Sequence, residues 1–448
     1  MRLLMKTWIP ISMMLVVLGG QAFGQALPTA TESVTPNPSG SGPKLSWVDG
    51  TVHYALSASE VIQHGYYGSG TTSTTAFSGN VGWASLSQVH PTTLLFAGGV
   101  LIGQGGQGTS TYQNIALSQS YIAHKWIFNI SDSFSFLPQS PTVGLSGIPG
   151  VGDVGTVPIQ GPSAGPAGGV LTYSGNRIAN TISGDIERRL TGRTSVSGSG
   201  SQSLLHFIDE NAGLDTSTVT GQVALNHRIN ARNSASISAV YSSYDTSNLF
   251  ANLPPGFPKD NITYQTKGIN VSYSRQWTRA FSTDVSAGPQ WIQSSAAQLI
   301  PDKLNYYVNA GASYSHQLIN YSVRYSHGVN GGSGVQVGAI SDNVSATVGR
   351  NFGREWAAAA IFSYSHTTGL LALFPNAPSS VKGATDTEYG TLQVTRGFTR
   401  TISGYASYTA QNQSLNKVLS TQNAFSGLSH TFGIGVTWAP QSKRVGEF

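Results

Sequence analysis

Apolar and small polar residues alternate with a period of two along most of this chain. Phe432, Ile434, Val436 and Trp438 alternate with Thr431, Gly433, Gly435 and Thr437, and Ile269, Val271 and Tyr273 alternate with Asn270, Ser272 and Ser274. Phe281, Thr283, Val285, Ala287 and Trp291 alternate with Ser282, Asp284 and Ser286. The runs Val308–Tyr314 and Ala235–Tyr241 repeat the pattern. Such a period puts successive side chains on opposite faces of an extended strand. One face is then apolar and aromatic; the other is Ser, Thr, Asn and Gly with an occasional charge. Strands are predicted near 50–62, 77–88, 91–103, 113–123, 125–136, 180–190, 192–204, 217–229 and 233–245. More are predicted near 264–277, 280–294, 304–317, 320–330, 339–351, 354–367, 385–397, 400–411 and 425–438. The tally is about 18 strands, or 16 if two early ones fuse or drop out.

The connections alternate in length. Very short ones fall at His90-Pro91, Lys125, Gly192, Asn230, Thr278, Asn320, Gly353 and Thr399. Longer ones span 63–76, 104–112, 137–179, 205–216, 246–263, 295–303, 331–338, 368–384 and 412–424. This asymmetry predicts an all-β fold: a transmembrane antiparallel β-barrel with short periplasmic turns and long outer loops.

Composition agrees with a barrel. Hydrophobic residues make up 39% and charged residues 10%, where a soluble domain carries about 25% charge. A barrel strand needs only every second residue to be apolar, so a mean hydropathy of −0.08 is compatible with a membrane. The chain has no Cys, which excludes a disulfide framework or a Cys-based metal site. The net charge is +5, but the basic residues recur at turns and form no continuous patch, so no nucleic-acid partner is expected. Arg2 and Lys6, then an apolar stretch from Trp8 to Leu18, then Ala22-Phe23-Gly24, read as a signal peptide over 1–24. Residues 25–46 read as a flexible periplasmic linker, 47–438 as the barrel and 439–448 as a periplasmic tail.

Eleven of the fifteen arginines lie in five short stretches, three of which read Arg-x-aromatic-x-Arg: Arg275/Trp277/Arg279, Arg350/Phe352/Arg354 and Arg396/Phe398/Arg400. All fall on the short-turn side. Arg188, Arg275, Trp277, Arg350, Phe352, Arg396 and Phe398 are the expected periplasmic interface anchors, with guanidinium groups reaching lipid phosphates and aromatic rings at the headgroup level. Solvated turn residues are the plainer alternative. By strand parity Asp185, Glu187, Arg189, Arg228, Asp284 and Arg324 point into the lumen, where they either tune selectivity or pair with cross-lumen neighbours.

The longest connection, 137–179, is rich in Gly and Pro and nearly free of charge. His327 and Ser333 stand close together in SHGVNGGSG, but both are read as loop residues without a fixed carboxylate. No paired carboxylates, zinc spacing or phosphate-cradling loop is apparent, so no enzyme and no cofactor are expected.

These features resemble the bacterial outer-membrane β-barrels, porin-like in character, at the level of the class. Placed as the third outer loop, 137–179 resembles the loop that narrows general porins. Phe432, Ile434, Val436 and Trp438 look like the terminal strand read by the barrel assembly machinery, although Ala439–Phe448 follow it. The resemblance implies a channel for passive diffusion of small polar solutes, set among outer-membrane lipids and constricted by 137–179. The alternative is a non-conducting barrel whose outer loops bind a partner or surface. Ala357–Ala360 give one strand a smooth face that could pack on a second copy in a homo-oligomer.

Overall fold

The computed structural model describes residues 50–65, 70–103, 108–137, 176–208, 214–247, 261–297, 299–332, 337–353, 355–371, 383–416 and 426–445. The expected signal peptide, the linker, nearly all of the 137–179 loop, Ser333, Arg354 and Phe448 lie outside them.

The first strands are β1 (Gly50–His64), β2 (Thr71–Ser85), β3 (Thr92–Gly103), β4 (Thr109–Ile122), β5 (Trp126–Leu137) and β6 (Arg177–Arg189). Next come β7 (Thr194–Phe207), β8 (Asp215–Arg228), β9 (Asn233–Ser247), β10 (Ile262–Gln276), β11 (Phe281–Ser294) and β12 (Lys303–His316). The remainder are β13 (Ile319–Gly332), β14 (Val337–Phe352), β15 (Trp356–Gly369), β16 (Ala384–Gly397), β17 (Ile402–Leu415), β18 (Gly427–Trp438) and the short β19 (Lys443–Val445). Each long strand pairs antiparallel with its sequence neighbours, and β1 also pairs with β18, from Leu56 opposite Trp438 to His64 opposite His430. The sheet is therefore closed, an 18-strand barrel without a free edge along its circuit.

The surface polarity is the inverse of a soluble protein's. Leu56, Phe77, Val223, Val271, Phe362 and Ile434 are exposed by half or more on the outward face. Inward positions carry hydroxyls that bond across strands: Ser57 with Thr437 at 2.9 Å, Ser131 with Ser183 at 2.6 Å, Ser234 with Ser274 at 2.6 Å and Ser282 with Ser313 at 2.7 Å. Only a lipid-facing barrel makes that arrangement stable. Long strands run from 12 to 16 residues. At about 3.3 Å per residue and a tilt near 45°, that length crosses the roughly 30 Å hydrocarbon layer.

Four of the short turns share one device. Thr191 Oγ1 accepts from the backbone N–H groups of Arg193 and Thr194, and Asn230 Oδ1 from those of Arg232 and Asn233. Thr278 serves Ala280 and Phe281, and Thr399 serves Thr401 and Ile402, in the same way. A side-chain acceptor placed at the start of the turn satisfies donors that the ladder cannot reach.

Two expectations shift. The second strand starts at Thr71, six residues before the predicted 77. Its early outward positions are polar because Ser73 and Thr75 donate to the outward carboxylate of Glu60 on β1, Thr75 at 2.6 Å. A hydrophobic alternation therefore cannot mark them. The segment read as a tail also contributes structure: β19 pairs with the first residues of β1, Val445 opposite Gly50 and Lys443 opposite Val52.

Candidate functional site: the two mouths and the lumen

At the short-turn mouth, outward-facing guanidinium groups lie over aromatic rings. Arg275 is 3.7 Å from the ring centre of Trp277, Arg350 is 4.8 Å from Phe352, and Arg396 is 5.0 Å from Trp356 and 5.7 Å from Phe398. Arg188 lies 5.2 Å from Trp126. The strand parity explains the stacks: Arg275 and Trp277 are two residues apart on one face, and Arg396 sits directly opposite Trp356 in the ladder. Trp277 Nε1 also donates to Thr283 Oγ1 at 2.9 Å.

Along the eighteen long strands the inward charges fall on one side of the lumen; Arg444 of β19, opposite the inward Thr51, lies outside that stretch. Asp185, Glu187 and Arg189 occupy inward positions of β6, Arg228 of β8, Asp284 of β11, Lys303 of β12 and Arg324 of β13. Among the described residues, no inward Asp, Glu, Lys or Arg comes from β14–β18 or β1–β5. Asn129 Nδ2 donates to Asp185 Oδ2 at 2.7 Å. Arg228 donates to the Gly192 carbonyl at 3.0 Å, which draws it to the rim. Asp284 and Arg324 stand 4.0 Å apart, both about half exposed. They are joined across Gly311, which is opposite both in the ladders. A Cβ at Gly311 would come within 2.6 Å of an Asp284 carboxylate oxygen, so the pair requires glycine between its members.

The long-loop mouth departs from the regular wall. The ladder between β12 and β13 stops at Val308 opposite His327, although β12 stays paired with β11 as far as Lys303 and β13 with β14 as far as Gly332. Beyond His327, β13 turns into the lumen. The Asn330 carbonyl accepts from the Tyr264 hydroxyl at 2.6 Å, and the Val329 N–H donates to Gln290 Oε1 at 3.4 Å; both side chains point inward from the wall. Gly331 abuts Thr218 and Tyr244, on strands five and four places away. Val329 continues the outward parity of Tyr321 and Val323, which are about half exposed, yet Val329 is 1% exposed. It packs with Tyr244, Ile262, Tyr264, Ile292, Leu299, Ile300, Val337 and Leu370. Tyr244 and Tyr264 are stacked 4.7 Å apart beneath the hairpin.

Parity reading placed Asp284 and Arg324 inward but could not pair them. It missed the inward hairpin altogether. The glycine-rich SHGVNGGSGVQVG carries the signal, but the sequence pattern divides it between the strand predicted near 320–330 and the outer loop 331–338. The reading of His327 as a loop residue without a fixed carboxylate is corrected: it lies within β13, its Nδ1 2.8 Å from Asp342 Oδ1, its ring stacked 4.1 Å from Tyr306. The same Asp342 oxygen accepts from Tyr325. A matching set, Tyr364, His366 and Asp386, lies two strands on. Both sets belong to the outward face, where ladder pairing, not sequence spacing, supplies the carboxylate.

No protein-family model matches the chain, and no curated protein does. Solved structures with a similar trace include proteins of Pseudomonas aeruginosa. OccK2 (OpdF) in complex with glucuronate aligns at 10% identity and a TM-score of 0.44, covering 87% of this chain and 97% of that one. The outer membrane protein opdK aligns at 8% and 0.43, covering 88% and 99%. A variant of the ferric enterobactin receptor (PfeA) aligns at 7% and 0.43, covering 87% and 80%. The class of this protein follows from its own closure and inverted polarity: it is a closed transmembrane β-barrel.

Proposed function

We propose that the protein is an outer-membrane channel for passive diffusion of small polar solutes. The observation that carries this reading is the lumen wall: a closed ring of 18 strands whose inward positions are mostly Ser, Thr, Asn and Gln. Such a wall replaces the hydrogen bonds of a hydrated solute without binding it tightly, which is what permeation needs. An 18-strand circuit is wide enough for an aqueous path unless an element fills it. The one-sided charge, with Asp284 and Arg324 held together, orients a solute toward β6–β13 more than it selects by sign. The arginine–aromatic stacks hold the short-turn mouth at the periplasmic leaflet, and the 137–179 loop adds a second narrowing to that of the β13–β14 hairpin.

A non-conducting barrel is the second reading, and the buried apolar cluster at the long-loop mouth favours it. Swelling of liposomes that carry the refolded barrel separates the two. Swelling in small uncharged sugars, slowing as sugar size rises, is the expected result. Folded, inserted protein with no swelling in any sugar supports the closed barrel instead.

A further inference from the structure

A hollow in the barrel wall lies outside the lumen. On the lipid-facing side of β5–β9, two neighbouring ladder rows read Ile130–Gly184–Gly200–Gly221–Tyr241 and Phe128–Ile186–Gly198–Val223–Ala239. Side chains rise at the two ends of the first row, and glycine supplies everything between them. The result is a groove of about 970 Å³ with a mostly apolar lining, inside the roughly 300–1,000 Å³ range of small-ligand sites.

A glycine within a strand weakens it, and marks either a crowded backbone or a place kept for something else. Elsewhere on the outward face the chain's own side chains supply the reason. A Cβ at Gly79 would come within 3.1 Å of the Leu56 side chain, and one at Gly98 within 3.2 Å of the Phe96 ring. The groove differs. A Cβ at Gly184, Gly198 or Gly200 would approach no described atom closer than 3.6 Å, and one at Gly221 would meet nothing within 4 Å. Packing among the described residues does not demand glycine at these four positions.

The groove leads to a cation. One ladder row nearer the short turns, Trp126 faces Arg188, whose exposed guanidinium lies 5.2 Å from the Trp126 ring. Trp126 stacks on Phe128 at 5.8 Å, and Phe128 packs against Tyr121 with ring centres 6.1 Å apart. An aromatic edge therefore runs from the cation into the groove. Gly184 precedes Arg188 by four residues on the same face, about 13 Å along a strand at 3.3 Å per residue. At a tilt near 45° the floor lies about 9 Å deeper than the guanidinium, at acyl-chain depth. An anionic head with an apolar chain matches both parts, since guanidinium groups bind phosphate through charge-assisted hydrogen bonds. A second barrel's wall would rest on Val223 and Ile130, 61% and 52% exposed, and leave the floor empty. A flexible chain reaches it.

We propose that this groove is a binding site for one membrane phospholipid, with an acyl chain lying along the glycine floor and its phosphate meeting Arg188. The site rests on the barrel's place in a membrane and not on the channel reading.

Photolabelling tests it. The refolded barrel is placed in phosphatidylcholine vesicles with a small fraction of phosphatidylglycerol that carries a diazirine in mid-chain. After illumination and digestion, mass spectrometry locates the adducts. Adducts on Ile130, Val223 and Tyr241 should be severalfold more frequent than on Val348 and Leu392, exposed outward residues of β14 and β16, and should be competed by unlabelled phosphatidylglycerol. Gly200→Leu with Gly221→Leu fills the floor and should lower groove adducts to the level of β14 and β16, with heat-modifiable migration unchanged. Should that pair impair folding, Gly221→Cys, alkylated after folding with an apolar reagent, blocks the same space in a chain with no other thiol. Arg188→Gln should lower the groove adducts severalfold, and Arg188→Lys should retain most of them. Adducts spread evenly around the wall, or unchanged when the floor is filled, overturn the site; adducts indifferent to Arg188→Gln overturn the phosphate contact. Groove residues free of adducts, in barrels that Gly221→Cys links into disulfide-joined pairs, would overturn the lipid and give the groove to a second copy.

Discussion

At the short-turn end hairpins are closed by residues a few positions apart: Thr278 serves Ala280 and Phe281, and Arg275 covers Trp277. At the long-loop end the deciding contact joins Tyr264 to Asn330, 66 residues further on. The first end repeats one local solution around the rim. The second breaks the wall's regularity at one place, folds a hairpin inward and buries apolar side chains in an otherwise polar lumen. A barrel needs only the first kind of end to close and sit in a membrane. Departures from local consistency are where function is to be sought, because they cost ladder bonds that must be offset elsewhere.

The largest effect should come from breaking the outer end. Val329→Asp puts a carboxylate at a position 1% exposed among apolar neighbours, where an unpartnered polar group costs about 2–7 kcal/mol. The hairpin should leave its seat while the barrel stays closed. Step conductance should rise, with heat-modifiable migration unchanged. Loss of the folded band would show instead that the cluster holds the barrel together.

Charge reversal at the other end comes next. Arg275→Glu, Arg350→Glu and Arg396→Glu together remove four cation–ring contacts, each worth about 0.5–1 kcal/mol at exposed sites. They also forfeit headgroup attraction of about 1 kcal/mol per charge. The folded fraction recovered in anionic vesicles should fall, while the reversal potential of the channels that do insert stays unchanged. An altered selectivity with normal insertion would move these arginines from anchors to filter.

The smallest effect is Thr278→Ala. Two exposed backbone donors lose their acceptor, for about 0.5–1.5 kcal/mol. The urea midpoint should drop slightly and conductance should not move. A change in conductance would mean that the short turns also shape the pore.

The same contrast explains what was legible in the sequence. All eighteen long strands were, because lipid outside and water inside force opposite residue types onto alternate positions. The start of β2 was hidden where Glu60 makes its outward neighbours polar. The inward positions of Asp284 and Arg324 follow from parity, but their pairing needs the register that puts Gly311 between them. The hairpin was illegible for a deeper reason: Val329 and Asn330 carry the alternation of a wall strand, and only the distant Tyr264 and Gln290 reveal that they have left it.

The most direct test of the channel reading is single-channel recording of the refolded barrel in planar bilayers under a salt gradient. Stable conductance steps with a reversal potential close to zero are predicted, since the wall is polar and the Asp284–Arg324 charges are paired. A folded, inserted barrel that carries no current would contradict the account and leave a closed barrel whose outer surface does the work.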